Sequence, residues 1–541
     1  MGDIRSSIAG DRDAIHFENA THSAKLLMNG SPIPAFRAAW GDFDGDGWPD
    51  LLLDGHILMR NRGDGTFENV SLEAGLKPEW RFEGGIWGDF NNDGRLDFYG
   101  FHQRTETETS PDLHDRLLLN LGNGKFEDVT RAAGSMFRYG PTQAVAWGEI
   151  NNNGLLDLYV AQYEKRGLVD GRGEPIRALG SPHFLWVNQG NGTFKEESVA
   201  RGVVPADGIP RCGRGVTFGD FNNDGLADIY VCNYRLGPNF LYVNQGNGSF
   251  VESAEEYGVQ GFESKVYEGH YAHSTGAAWG DFNNDGNLDL FVGNLAHPWA
   301  LAYSNPSQLF FNRGPGGLFR RPFGPPRFCF DEKITTSGIQ YWETHCDPAW
   351  VDVDNDGRLD FSLTSVYPGQ PSFLYRNLGS GQFQLVTDSA GATVTNSYGH
   401  AWSDYNRDGR MDCVVCSPEG CTLLKNQSDA GHWVQISLKG TTSNRNGVGS
   451  RVTLETAGNK RQIREITAGR GFSSQDEMTA HFGLGDNTGP VTIEVRWPSG
   501  RRTRQVVSKV DRLIEISEQD APSRCATTLT DFLKVLPPRF F

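Results

Sequence analysis

At 541 residues the chain is too long for one ordinary core, so it reads as several domains or one repeat array. Its 67 acidic against 50 basic residues give a net charge of −17, which disfavours a nucleic-acid surface. No stretch reaches the roughly 18 apolar residues of a membrane helix, and the opening MGDIRSSIAG carries no apolar signal region. The expectation is therefore a chain without a membrane span, cytoplasmic as it stands, or a mature form whose signal has been removed. With 33 Phe and 13 Trp there is a core to build, and Gly at about 12%, against an average near 7%, points to tight turns between strands.

Near the N-terminus, Phe17-Glu-Asn-Ala-Thr21 has the pattern of a short strand that returns later as Phe67-Glu-Asn-Val-Ser71. From Trp40 onward a nine-residue acidic segment recurs seven times, with an acid or amide at positions one, three and five, Gly at six and Asp at nine. The first two copies place these side chains at Asp42, Asp44, Asp46 and Asp50, then at Asp89, Asn91, Asp93 and Asp97. Glu149, Asn151, Asn153 and Asp157 form the third, Asp220, Asn222, Asp224 and Asp228 the fourth, and Asp281, Asn283, Asp285 and Asp289 the fifth. Asp352, Asp354, Asp356 and Asp360 form the sixth, and Asp404, Asn406, Asp408 and Asp412 the seventh. Two residues before each copy stands an aromatic: Trp40, Trp87, Trp147, Phe218, Trp279, Trp350 and Trp402. First positions fall 47 to 71 residues apart, a spacing of propellers and solenoids.

A Gly turn follows each acidic segment, as in Asn61 to Phe67, Asn120 to Phe126, Asn188 to Phe194 and Asn244 to Phe250, with looser copies at Asn312 to Phe319 and Asn377 to Phe383. The unit is thus an aromatic-capped inner strand, an acidic loop, an apolar strand such as Leu51-Leu-Leu53, a third strand, a Gly turn and a fourth strand. Seven such units predict an all-β, seven-bladed propeller over residues 14–429. The seventh unit has no clear Gly turn after Asn426, and the segment at Phe17 is expected to supply its missing strand and close the ring.

Oxygens at alternate loop positions, with Gly at six for the sharp turn, follow the first half of an EF-hand loop, and the ninth Asp would close the cage. Asp-Gly and Asn-Gly steps favour turns by themselves, but four matched positions in seven copies argue for up to seven structural Ca2+ ions. The first and sixth copies carry four carboxylates; the third has only Glu149 and Asp157 and is expected to be the weakest or empty. Full loading would add +14 to −17 and leave about −3.

Long insertions at residues 100–116, 161–184, 256–276, 293–309 and 328–348 all fall on the face opposite the acidic loops. Just before the inner-strand aromatics stand Arg37, Glu83, Gln143, Arg214, Thr275, His345, Asp347, Tyr398 and His400, predicted to rim the central channel. Such a rim is either a solvated channel mouth or a ligand pocket. In the second case Arg37, Gln143, Arg214, Thr275 and Tyr398 would contact a ligand, and His400, His345, Asp347 or Glu83 would act as acid or base. Phe137, Tyr139, Tyr267, Tyr271, Trp299, Trp342 and Tyr398 supply aromatic faces there. Cys413, Cys416 and Cys421 read as buried thiols, with a disulfide to Cys421 left open.

Near residue 430 the charge changes sign: Gly431 to Ser517 holds 13 basic against 8 acidic residues, leaving −22 for the rest. Alternating patterns such as Val491-Thr-Ile-Glu-Val-Arg-Trp497 predict a small β-domain over 430–517, followed by a tail at 518–541. Gly431-His-Trp433, Ser443-Asn-Arg-Asn-Gly-Val-Gly-Ser-Arg-Val452, Gly469-Arg-Gly-Phe-Ser-Ser-Gln475, His481-Phe-Gly-Leu-Gly485 and Arg496-Trp-Pro-Ser-Gly500 resemble the ASPIC/UnbV domain, and the repeats resemble the VCBS/FG-GAP type related to those of integrin α subunits. Together they resemble the cartilage acidic protein family over roughly residues 14–517. That resemblance implies a calcium-binding propeller with an appended β-domain, in proteins that are often secreted. This chain differs in lacking a signal and a Cys-rich EGF-like ending. Two functions follow as expectations for a monomer that binds no nucleic acid. One is a module presenting its insertion face to a small molecule, protein or glycan. The other is a cofactor-independent cyclase or isomerase of a natural-product pathway working in the central pocket.

Overall fold

Each repeat folds into an antiparallel sheet whose strand order follows the chain, with the long insertions leaving that order unchanged. The first blade comprises Ala38–Gly41, Asp50–Leu53, Ile57–Asn61 and Phe67–Asn69. Five more four-stranded blades follow, their inner strands at Gly84–Gly88, Thr142–Gly148, Cys212–Gly219, Ser274–Gly280 and His345–Val351. In the seventh, His400–Ser403, Asp412–Val415 and Thr422–Asn426 take Phe17–Asn19 as their outer strand, with Phe17 opposite Asn426 and Asn19 opposite Leu424. The N-terminal segment thus sews the ring shut and hides two sheet edges, as the sequence predicts. This computed structural model describes residues 15–103, 113–134, 140–165, 179–264, 268–295, 305–315, 328–340, 344–458 and 460–520. The tail beyond residue 520, with its apolar Phe532-Leu-Lys-Val-Leu536, lies outside them.

Two sequence features build the ring. The first is aromatic-on-glycine packing between neighbouring inner strands. A Cβ on Gly41 would stand 2.8 Å from the Trp87 ring, on Gly88 2.7 Å from Trp147, on Gly148 2.6 Å from Phe218 and on Gly280 2.5 Å from Trp350. In the first five blades the glycine after the aromatic is therefore the seat of the next blade's aromatic; Val351 and Ser403 stand there in the sixth and seventh. The second is the asparagine that opens each Gly turn. Its Nδ2 donates to a loop carbonyl of the preceding blade: Asn61 to Tyr405, Asn120 to Phe43, Asn188 to Phe90, Asn244 to Ile150, Asn312 to Phe221, Asn377 to Phe282 and Asn426 to Val353, all at 2.7–2.8 Å. Every blade boundary carries this bond, and every one of these amides is buried.

The C-terminal module is two packed sheets. His432–Lys439 lies between Ala480–Gly485, antiparallel, and Arg512–Ser517, parallel. The second sheet orders Arg461–Glu465, Arg451–Thr456, Val491–Arg496 and Arg502–Val507. Val434, Ile436, Val452, Leu454, Ile493 and Trp497 fill the space between, and this core runs on into Ile86, Val145 and Trp147 of the propeller. Glu518 belongs to this hydrogen-bonded unit. Its Oε2 accepts the backbone N–H groups of Thr441, Thr442 and Ser443 at 2.7–2.9 Å. Burial alone would push its carboxyl up, but those donors and Ser499 outweigh it and hold it at about 2. Cys212, Cys232, Cys346, Cys413, Cys416 and Cys421 are all buried free thiols, so the disulfide left open at Cys421 does not form.

Asn188→Ala tests the latch. It leaves the buried Phe90 and Leu156 carbonyls without their amide donor. The expected loss is about 2–4 kcal/mol, read from the denaturation midpoint.

Candidate functional site

The acidic loops share one backbone form. Gly at position six has φ between 84° and 92° in all seven, and position four is left-handed as well, at Gly45, Asn92, Asn152, Asn223, Asn284, Asn355 and Arg407. Sequence reading missed position four, although Asn, a residue tolerant of that conformation, stands there in five copies. The first acid turns one oxygen to the N–H of position five and the other to that of position six, as Asp89 does with Asp93 at 3.1 Å and Gly94 at 2.8 Å. Asp42, Asp220, Asp281, Asp352 and Asp404 repeat this pair.

The ninth Asp is fully buried in every loop, and its Oδ1 accepts the backbone N–H of the latch asparagine. The other oxygen of Asp228, Asp289 and Asp412 has no hydrogen-bond partner. Burial, with neighbouring carboxylates adding to it, pushes Asp50 up to about 9 and Asp97 and Asp352 up to about 8. Carboxylates crowded in this way, with buried oxygens left unmatched, suit an all-oxygen site for a hard divalent cation. The residues present fit calcium. Among the described residues, Asp42, Asp44 and Asp50, and likewise Asp352, Asp354 and Asp356, bring their oxygens within 4.8 Å of one another. These are the two copies with four carboxylates. In the third loop Glu149 gives one oxygen to Gly154 and the other to Asn444 of the C-terminal module at 2.8 Å.

Position four also joins the loops into a belt. Asn92 Nδ2 donates to Gly154 O at 2.6 Å, Asn284 to Gly357 O at 2.9 Å and Asn355 to Gly409 O at 2.9 Å, while Arg407 reaches Gly47 O across the ring closure; Gly45 in the first loop has no side chain to reach the second. The basic module docks on this belt. Arg445 N–H donates to Asn92 Oδ1, His481 Nε2 meets Asn355 Oδ1 at 2.7 Å, and Arg451 binds Asn223. Arg496 pairs with Asp220, Gly483 N–H donates to Asp352 and Gln435 to Asp404.

From the module one loop enters the central channel, and this sequence reading did not anticipate. Ala468 pairs with Trp147, and Gln475 pairs with Ala39 on the way back. Arg470, at the turn, donates to Pro348 O and His400 O and pairs with Asp347 at 3.3 Å and Asp476 at 2.6 Å. Phe472 lies at the tip, 4.0 Å from the Arg37 guanidinium and 5.3 Å from that of Arg214. The rim read as a channel mouth or open pocket is thus filled from below. Arg37 donates to the carbonyls of Phe472, Glu83 and Gln143. Asp347 accepts Phe472 N–H and lies 3.3 Å from His400 Nδ1. Burial opposes its charge, but Arg470 and then His400 hold its carboxyl at about 2.

The remaining rim residues divide. His400 bonds Ser362 at 2.7 Å and His345 bonds Ser307 at 2.7 Å, with burial pushing both imidazoles down, His345 to about 3. Glu83 accepts Gln103 N–H, and Thr275 donates to carbonyls of its own and the next blade. Arg37, Gln143, Arg214 and Tyr398 gather around the tip. Tyr271 is half-buried, away from them. Phe137, Tyr139, Tyr267, Trp299 and Trp342 lie outside the described residues. The residues that sequence reasoning missed, Arg470, Phe472 and Gln475, sit in a Gly-Arg-Gly-Phe motif that says nothing of which partner it meets.

Residues 440–523 match the ASPIC and UnbV family, and residues 42–100, 178–231, 220–292 and 352–415 match the FG-GAP-like repeat. Over 522 residues the chain is 24% identical to cartilage acidic protein 1 of Mus musculus, 23% to that of Homo sapiens and 24% to that of Xenopus tropicalis, covering 89% of this chain and 72–73% of each relative. Among solved structures it is similar to Saccharomyces cerevisiae Sqt1, with 8% identity and a TM-score of 0.40 over 76% of this chain and 98% of that one. Similar too is the exotype rhamnogalacturonan lyase YesX, with 11% identity and a TM-score of 0.27 over 85% and 83%. Likenesses this loose say nothing of function.

Arg470→Ala leaves Asp347 charged and unpaired in the interior and should cost about 3–5 kcal/mol, read from the denaturation midpoint. Asp347 is held below its ordinary 3.8, so its contribution is present above that value and lost as pH falls through about 2. Wild type should therefore lose more stability than Asp347→Asn between about pH 5 and pH 2 in acid titrations followed by circular dichroism.

Proposed function

Because this chain is a homologue of cartilage acidic protein 1, built from FG-GAP-like repeats and an ASPIC and UnbV domain, we propose that it is a calcium-rigidified binding module. In this reading calcium holds the acidic belt, the belt holds the C-terminal module, and the opposite face presents its insertions to a ligand or partner. The single observation that carries the reading is the buried ninth aspartate, whose second oxygen at Asp228, Asp289 and Asp412 has no hydrogen-bond partner. The side chains at positions one, three, five and nine would hold the ion. Bound calcium would neutralise their mutual repulsion and tie each loop to its blade. An acid–base enzyme would need Asp347, His400 or His345 to reach a substrate. Each already bonds an interior partner, Arg470, Ser362 or Ser307, so the binding reading is carried forward.

Excess EGTA should lower the melting temperature by about 10 °C or more, and added calcium should restore it. Elemental analysis should give fewer than seven ions per chain, with Glu149→Gln leaving the number unchanged while Asp44→Asn and Asp354→Asn reduce it. A melting temperature indifferent to EGTA would overturn the proposal.

A further inference from the structure

Blades three, four and five share a register shift near the end of the inner strand away from the acidic loops, between Thr142 and Ala144, Gly213 and Gly215, and Ser274 and Gly276. The residues passed over are Gln143, Arg214 and Thr275. A bulge of this kind re-aims a side chain, and at equivalent places on adjacent inner strands it directs all three toward the axis. Thr275 is consumed by backbone carbonyls. The other two are not. Gln143 is fully buried, yet neither its Oε1 nor its Nε2 has a partner.

Arg214 lies 4.5 Å from the Tyr234 ring centre, 5.7 Å from that of Tyr163 and 5.3 Å from that of Phe472. The Tyr163 hydroxyl takes one hydrogen bond from the guanidinium, but its buried Nε has no acceptor, and no carboxylate among the described residues pairs with it. The neighbouring cation is no better supplied with anions at close range, since Arg37 spends its guanidinium on three carbonyls. Nearby acids are committed elsewhere: Asp347 to Arg470, Glu164 to Arg235, and Asp54 to the N–H groups of Phe36 and Arg37. The blind end of the channel is thus a cationic cup with an aromatic floor, Phe472, and tyrosine walls, with a buried amide left over. The buried Nε of a half-buried guanidinium and a fully buried amide, neither with a partner, are costly to keep unless something supplies one.

We infer that this cup, on the face that the proposed binding module presents, takes the oxyanion of a small arene-bearing acid, with Arg214 and Gln143 gripping the oxygens and Phe472 and the tyrosines stacking the ring. The inference rests on that binding reading and deepens it by naming the ligand class. A carboxylate and a phosphate monoester offer the same acceptor geometry to a guanidinium fork. Benzoate and phenyl phosphate are therefore the two probes, with inorganic phosphate as the arm lacking a ring.

Calorimetric titration of the full chain in calcium should give saturable binding of benzoate or phenyl phosphate, tighter than inorganic phosphate. Arg214→Gln should weaken it at least about tenfold, the scale of one charge-assisted contact, and Gln143→Leu severalfold. Arg214→Lys keeps the charge without the fork and should fall between, which also serves if the glutamine variant fails to fold. No binding by either arene up to about 10 mM, binding untouched in the Arg214 variants, or crystals soaked in benzoate that show only water beside Arg214 would each overturn the inference. EGTA melts on the same samples separate the two claims. A calcium-dependent melt without anion binding sinks the cup alone, whereas a melt indifferent to EGTA sinks the calcium reading alone.

Discussion

One pair of bonds, repeated around the ring, supports the rest of the molecule. The buried ninth aspartate of each acidic loop accepts the backbone N–H of the asparagine eleven or more residues on, and that asparagine's amide reaches the loop of the preceding blade. A position proposed as a metal ligand is thereby coupled to the boundary between blades. Anything that orders or loosens one loop is felt by its neighbour, because a buried amide and a buried carboxylate cannot exchange these partners for water without cost. The position-four side chains add a second, open belt, from Asn92 to Gly154 and from Arg407 across the ring closure to Gly47.

Electrostatics then decides where the C-terminal module sits. The propeller carries the acidity in its loops, the module carries the opposite sign, and the two meet face to face through Arg496 and Asp220, Arg451 and Asn223, and Asn444 and Glu149. Charge alone would give a loose, screened association. Ile86, Val145 and Trp147 join the module's own core, and the loop from Ala468 to Gln475 fills the channel. That insertion fills the hole of the ring. It also gives the inward-facing Asp347 its counter-charge, Arg470, from the other domain, and the same guanidinium donates to His400 O.

Much of this was legible beforehand. Seven acidic copies, each two residues after an aromatic, announced the blades, and Phe17 to Thr21 announced the closing strand because it repeats the pattern of Phe67 to Ser71. Local spacing suffices for such features, since a hairpin is made by residues close in sequence. The latch asparagines were visible only as turn openers. Their Nδ2 bonds span a blade boundary, and a residue's turn preference carries no trace of a partner about 75–100 residues away, or 344 away for Asn61. Gln143, Arg214 and Thr275 were found as axial residues from their place before the inner aromatic, but not the bulge that aims them.

By itself, then, the sequence determined the repeat, the number of blades, the all-oxygen loops and the sign of charge on each domain, all of which follow from patterns within a few residues. Only the tertiary structure decided that the basic module sits on the acidic belt, that Arg470 and Phe472 close the channel, and that the Arg214 Nε and the Gln143 amide are left without hydrogen-bond partners above them. Those outcomes depend on contacts between residues as far apart as Arg37 and Phe472, 435 positions along the chain. Such contacts are selected by shape and by the need to satisfy buried polar groups, neither of which has a period in the sequence.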